Sequence, residues 1–340
     1  MFAGKAFRLR SRQNSLLSSG FFPFVIFMTL ISSNRLPHIL SRLKLFLALS
    51  RTPHGMIDMA TPAFAALVWL GHPPSVSVTL LGILVTFAGY TAVYALNDVV
   101  DFRHDREKLE KEGVCVTAGD LDAVLVRHPM ACGFLTFRQG LIWTAAWATV
   151  AVICAYLLNP VCLWIFAAGC LLETAYCLLW RVSHYRVLVS GAVKTLGAVA
   201  AVFAVDRSPS LAFVTVLFLC LFFWEIGGQN IPNDWTDIGP DARFGAKTIP
   251  VLLGPQRSAL LIIGSILMAL LLIVAVFRCS SAPYAAAYPF AAVSAGIFLL
   301  LMPALRLWNF QSCQDAMSLF NKASYYPLML MIIALVRALA

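Results

Sequence analysis

Long apolar runs, separated by short polar patches, fill this chain from about residue 54 to its end. A run needs about 17–25 residues to cross the hydrocarbon core of a bilayer. Nine qualify, at roughly 54–72, 76–96, 140–158, 161–180, 188–206, 210–228, 256–277, 283–303 and 322–339. A helix satisfies its own backbone in lipid and an open sheet does not, so the pattern predicts nine transmembrane helices and no strands. None of the nine is visibly broken. A tenth apolar stretch, Gly20–Ser33, is only 14 residues long and too short to span.

Links from odd to even spans are tiny: His72–Ser75, Asn159–Pro160, Arg207–Pro209 and Arg278–Pro283. Links from even to odd spans are longer and polar. The long-link side carries 13 Lys and Arg residues, among them Arg103, Lys108, Arg127, Arg181, Arg186 and Lys322, against Arg207, Arg278 and Arg337 on the other side. The positive-inside rule puts that basic side in the cytoplasm. The expected location is a bacterial-type inner (plasma) membrane, with an organellar membrane as the alternative.

Composition agrees: of 340 residues 60% are hydrophobic and 12% charged, about half the charge of a soluble domain. The net charge of +9 sits at one end, because residues 1–57 hold eight Lys and Arg and no Asp or Glu. That points to membrane lipids as a partner and away from nucleic acid, which needs a basic stripe. The nine cysteines include no CxxC and suggest neither a disulfide framework nor a zinc site. No required protein partner is evident. Residues 1–47 read as a basic, poorly ordered or membrane-surface extension, either a targeting segment or an over-extended start, with 1–40 dispensable. Pro37–Ser50 alternates Arg42 and Lys44 with apolar residues, as a helix on the membrane surface would. Residues 48–340 form the membrane domain.

Acids are scarce, and six of the 16 fall in two windows. Asn97-Asp98-x-x-Asp101-x-x-x-Asp105 follows the second span, and Asn233-Asp234-x-x-Asp237-x-x-x-Asp241 follows the sixth. Helical spacing i, i+3, i+7 puts such residues on one face. Gly239-Pro240 should break the second helix and leave Asp241 on a loop. Carboxylates so crowded need a cation, and Mg²⁺ is oxygen-liganded and shared with phosphates. Asp98, Asp101, Asp105, Asp234, Asp237 and Asp241 are therefore the expected metal ligands, around one diphosphate. Asp98, Asp101, Asp234 and Asp237 form the catalytic core, and Asn97 and Asn233 orient phosphate or carboxylate through their amides. The repeated window also divides the bundle into two similar four-helix halves plus a last helix.

With these motifs the chain resembles the UbiA superfamily of intramembrane prenyltransferases, over roughly residues 48–338. Arg51-Thr-Pro53 is similar to that family's R-x-P opening. Arg243-Phe-Gly245-Ala-Lys247-Thr248-Ile is similar to its G-x-[KR]-[ST]-[LIT] tail. His128-Pro129-Met-Ala-Cys-Gly133 is similar to its R-P-[IL]-x-x-G, with His for Arg. The resemblance implies a helical bundle around a cavity open to lipid. It implies Mg²⁺-dependent transfer of a polyprenyl group from a polyprenyl diphosphate to an acceptor, with release of diphosphate. Quinone-type aromatic rings are the leading acceptors, with a chlorin or a glycerol lipid as alternatives. Arg51, Arg243 and Lys247 would bind substrate, and Tyr176 matches a tyrosine that family members often carry in span four. Aromatic faces stabilise an allylic cation, and Tyr90, Tyr94, Phe223 and Trp224 lie at the same end.

A secondary transporter is the rival class, since paired halves and buried acids suit one. Against it, the acids lie at one membrane face. Asp58, Glu173, Lys194 and Glu225 fall inside spans, where charge needs a partner or a wet cavity. Glu173 and Lys194 are expected to pair. Glu225 would line an acceptor pocket or bond a neighbouring helix.

Overall fold

A computed structural model of the protein describes residues 38–112, 121 and 124–339. The expectations for residues 1–37 lie outside the described residues. The described residues from 44 onward form one compact unit. Among the described residues the chain is helical, without strands. In order the helices are α1 (His38–Leu49), α2 (Thr52–Asp58), α3 (Ala60–Leu70), α4 (Val76–Glu112) and α5 (Phe137–Leu158). They continue as α6 (Pro160–Leu178), α7 (Arg186–Val205), α8 (Leu211–Trp224), α9 (Ile231–Thr236) and α10 (Ile238–Arg243). The last are α11 (Ile249–Cys279), α12 (Ala287–Gly296), α13 (Met302–Phe310), α14 (Cys313–Ser324) and α15 (Tyr326–Leu339). Two π-helical turns, Glu225–Asn230 and Ile297–Leu301, join α8 to α9 and α12 to α13.

All nine expected spans are helical, and eight are long and apolar enough singly to cross a membrane. The first is divided at Met59 into α2 and α3. The expectation of unbroken spans therefore fails. The sixth and eighth spans carry the two π-turns, and just ahead of the seventh span α11 kinks at Gly254 (φ 74°) before Pro255, which has no N–H to continue the ladder. Such breaks survive in a membrane where protein or a cavity satisfies the freed backbone groups.

The outer faces carry Leu80, Trp164, Leu171, Leu211 and Phe290, each 63–77% exposed, as a lipid-facing surface should. Lipid is as apolar as leucine, so close packing rather than water exclusion holds these helices together. The core shows this: large Phe64, Phe213, Trp224 and Tyr326 interleave with Ala65, Ala198, Ala269 and Ala292. A smaller cluster sets Leu49 against Ala95, Val99, Met130 and Leu135. The end of α1 thereby packs against α4 and the segment around Met130. Phe46 stacks on Trp143 at 4.9 Å, and Trp143 Nε1 donates to Ser50 Oγ at 2.8 Å.

Candidate active site

The first carboxylate window rides on the end of α4. That helix is 37 residues long and continues past its apolar stretch. Exposed i,i+4 pairs support the extension: Arg106 Nε–Glu110 Oε1 at 3.0 Å and Lys111 Nζ–Glu107 Oε1 at 2.8 Å. Asp98 and Asp105, two turns apart, meet at His128, whose Nδ1 lies 3.4 Å from Asp98 Oδ1 and 2.9 Å from Asp105 Oδ2. Ligand atoms of these three residues lie within 4.8 Å of one another. Asp101 is not in this group; its Oδ1 lies 3.8 Å from His104 Nδ1. Burial alone pulls the His128 imidazole down, but Asp105 and Asp98 outweigh it and hold its pKa up at about 9. At neutral pH His128 is thus a cation that offsets one of the pair's two negative charges.

His128 and Arg51 both adopt left-handed backbone, with φ of 52° and 44°. Such residues cost about 1–3 kcal/mol each and gather at functional sites. Arg51 is the N-cap residue of α2, and its Nη2 donates to Asn97 Oδ1 at 3.0 Å and Asp98 Oδ1 at 3.3 Å. Asn97 passes the contact on, since its Nδ2 donates to Glu173 Oε1 at 2.7 Å. The expected Glu173–Lys194 pair does not form. Lys194 instead bonds Asp58 and, at 2.6 Å, Tyr94 Oη. These contacts run between residues 46 to 136 positions apart, where linear spacing carries no signal.

The second window departs from the expected geometry. The helix ends at Asp237 (φ −105°, ψ 13°), not at Gly239-Pro240, and restarts as α10. Proline is tolerated in a first turn, whose N–H groups have no helical partner anyway. Asp241 therefore sits on a helix rather than a loop, and is 3% exposed. Burial pushes its carboxyl up, opposed by Lys108, whose Nζ donates to Asp241 Oδ1 at 3.0 Å. Asp237 takes Arg127 at 3.1 Å. Asp234 faces Arg186 at 3.7 Å, and its Oδ2 is buried without a hydrogen-bond partner. Arg186 also lies over the Tyr176 ring at 4.0 Å.

The sequence reading missed Arg127, His128, Lys108 and Arg186 as site residues. The first, third and fourth read as loop charges that set topology, and His128 as a departure within a motif. Asn233 and Tyr176 line the cavity described next. Arg243 and Lys247 have exposed side chains and do not line it.

Beneath the carboxylates lies a cavity of about 670 Å³, within the range of ligand sites. Arg51, Asn97 and Asn233 stand at its carboxylate end, and Ala63, Ile83, Leu158 and Val205 are among its apolar walls. Tyr90, Tyr94 and Tyr176 line it. Phe223 and Trp224 do not; Trp224 is buried and donates to Ala323 O at 3.1 Å.

A model of the UbiA prenyltransferase family matches residues 59–325. The digeranylgeranylglyceryl phosphate synthase of Thermococcus sibiricus is 26% identical over 221 residues, covering 64% of this chain and 71% of that protein. Its counterpart in Thermococcus kodakarensis is 22% identical over 235 residues, covering 69% and 76%. Among solved structures, the apo UbiA homolog from Aeropyrum pernix K1 superposes with a TM-score of 0.68 at 18% identity, over 83% of this chain and 97% of that one. A UbiA homolog from Archaeoglobus fulgidus, bound to DMAPP and Mg²⁺, gives 0.62 at 15% identity, over 87% and 99%. At such identities these two structures speak for the fold.

Proposed function

The chain belongs to the UbiA prenyltransferase family, and from that premise we propose that it transfers a polyprenyl group from a polyprenyl diphosphate to a hydroxyl of a glycerol lipid. Diphosphate is released. One observation carries the reading: two partly buried carboxylate windows, each matched to cations, stand over a cavity with apolar walls. A transporter would place its charged site near the midplane. The glycerol-lipid acceptor takes precedence over a quinone-type ring because both Thermococcus relatives are digeranylgeranylglyceryl phosphate synthases by name. The motif end faces the basic, cytoplasmic side.

The residues present suit Mg²⁺. Asp98 and Asp105 converge, and Asp234 keeps a buried oxygen without a partner. We assign metal binding to Asp98 and Asp105 in the first window and to Asp234 in the second, with Asp101, Asp237 and Asp241 completing the acidic rim and His128 as a counter-charge. Mg²⁺, when bound, supplies positive charge that stabilises the departing diphosphate. Arg51, Lys108, Arg127 and Arg186 supply fixed charge for phosphate oxygens. Asn97 and Asn233 orient the phosphates, with Arg243 and Lys247 at the outer approach. The apolar walls hold the prenyl tail, and Tyr90, Tyr94 and Tyr176 offer ring faces to an allylic cation. Purified protein given Mg²⁺ and geranylgeranyl diphosphate should prenylate an alkylglycerol phosphate, as read by mass spectrometry. Turnover of hydroxybenzoate or dihydroxynaphthoate with no glycerol ether would overturn the acceptor assignment.

A further inference from the structure

Below the carboxylates the cavity wall is not uniformly apolar, and its polar groups are unevenly satisfied. Glu225 is 4% exposed; its Oε1 accepts from Ser190 Oγ at 2.8 Å, while Oε2 is buried without a hydrogen-bond partner. Asn230 is 5% exposed; its Nδ2 donates to Tyr176 Oη at 3.0 Å, while Oδ1 has no partner. Both residues line the cavity. An unsatisfied carboxylate oxygen inside a membrane protein is costly and marks a functional site. The nearby charges are committed elsewhere: Lys194 to Asp58 and Tyr94, and Glu173 to Asn97. His54 lies 3.6 Å from Asp58.

The backbone explains why both groups reach the cavity. In a regular helix residues five apart point about 140° away from each other. Glu225–Asn230 is a π-turn, whose wider spiral brings them toward one face, and such turns recur at functional sites. Gly227 and Gly228 hold it in place. A Cβ on Gly227 would lie 2.8 Å from Ile262 O in α11, and one on Gly228 would lie 3.0 Å from Ala323 Cβ in α14. Glu225 precedes Asp234 by nine residues, so it lies at most about 13 Å deeper by helical rise. The same cavity reaches the carboxylate end at Arg51, Asn97 and Asn233.

We propose that the π-turn is the acceptor subsite, and that Glu225 binds the acceptor's hydroxyl and takes its proton. The two vacant oxygens accept hydrogen bonds, so the group they select is a donor: a hydroxyl, not a carboxylate. In the reaction the hydroxyl oxygen's lone pair forms the bond to C1. The C1–O bond to diphosphate breaks, and its electron pair leaves with the diphosphate. The hydroxyl proton passes to Glu225 Oε2, while Oε1 keeps its bond from Ser190. This rests on the reading that the chain transfers a prenyl group to a hydroxyl.

The test uses the full chain in lipid nanodiscs with Mg²⁺ and geranylgeranyl diphosphate. One probe is an alkylglycerol phosphate with a free central hydroxyl, and the other is the same molecule with that hydroxyl methylated. Equilibrium dialysis measures binding, and mass spectrometry measures ether formation. Glu225→Gln should cut ether formation about 100-fold or more, the scale of a lost general base. It should also abolish a preference of about tenfold for the free hydroxyl over the methylated probe, and Glu225→Asp should recover part of both. Affinity for geranylgeranyl diphosphate should stay within about threefold, which separates this role from a folding defect. Ether formation by Glu225→Gln within threefold of wild type would overturn the proposal, as would parallel loss of affinity for both substrates. If the wild type prefers the free hydroxyl through Glu225 but forms no ether, the transfer reading and the proton step fall and the hydroxyl subsite stands. If it forms ether without that preference, the transfer reading stands and the subsite falls.

Discussion

Arg186 and Asp234 offer the sharpest energetic test of the site. Their side chains are 7% and 8% exposed and 3.7 Å apart. At that separation and an effective dielectric of about 20, opposite charges attract by about 4 kcal/mol. Removing one partner of a buried pair costs about 3–5 kcal/mol, because the other charge stays buried and uncompensated. Asp234 is badly placed to absorb that loss, since its Oδ2 already has no hydrogen-bond partner. Arg186 retains the face of Tyr176 at 4.0 Å. Arg186→Met should therefore lose about 3 kcal/mol, and Asp234→Asn somewhat less. The double variant should lose about as much as the worse single change, giving a coupling of about 2–3 kcal/mol. Unfolding in mixed micelles, monitored by tryptophan fluorescence in metal-free buffer, measures all three. Losses that simply add, or single losses under about 1 kcal/mol, would show that the pair is not the buried contact argued here.

Asp98→Ala and Asp234→Ala should each abolish prenyl transfer while the protein still inserts and elutes as a single species; near-wild-type turnover in either would end the metal assignment. Arg51→Lys should raise the KM of one substrate at least tenfold, because an ammonium lacks the planar donor array that sets Arg51 Nη2 between Asn97 and Asp98. His128 gives a pH signature in metal-free protein. Its raised pKa means that its contribution is whole below about 6.5 and is lost as pH rises through about 9. That contribution is about 3 kcal/mol, and His128→Gln should flatten the stability profile across this window. Deleting residues 1–37 should leave insertion and activity within about twofold, and an inserted but inactive product would refute that.

Much of this protein was legible in one dimension. Lipid forces each spanning segment to be long, apolar and helical, so hydropathy alone predicts nine helices. A carboxylate window repeated after the second and sixth spans survives as a local pattern, because helical periodicity fixes where Asp98 and Asp105 point. What the linear pattern lacks is the partner of each charge. Arg127, Lys108 and Arg186 have the same composition signature as any cytoplasmic-side cation, and only packing brings them to Asp237, Asp241 and Asp234. Lys194 meets Asp58 across 136 residues rather than the nearer Glu173. The breaks at Met59 and Asp237 and the π-turn at Glu225 also escape hydropathy, which sees an apolar run and not its hydrogen-bond register. Composition decides whether a segment enters the membrane, because each residue's transfer to lipid is nearly independent of its neighbours. Which buried oxygen goes unsatisfied depends on every helix that packs around it.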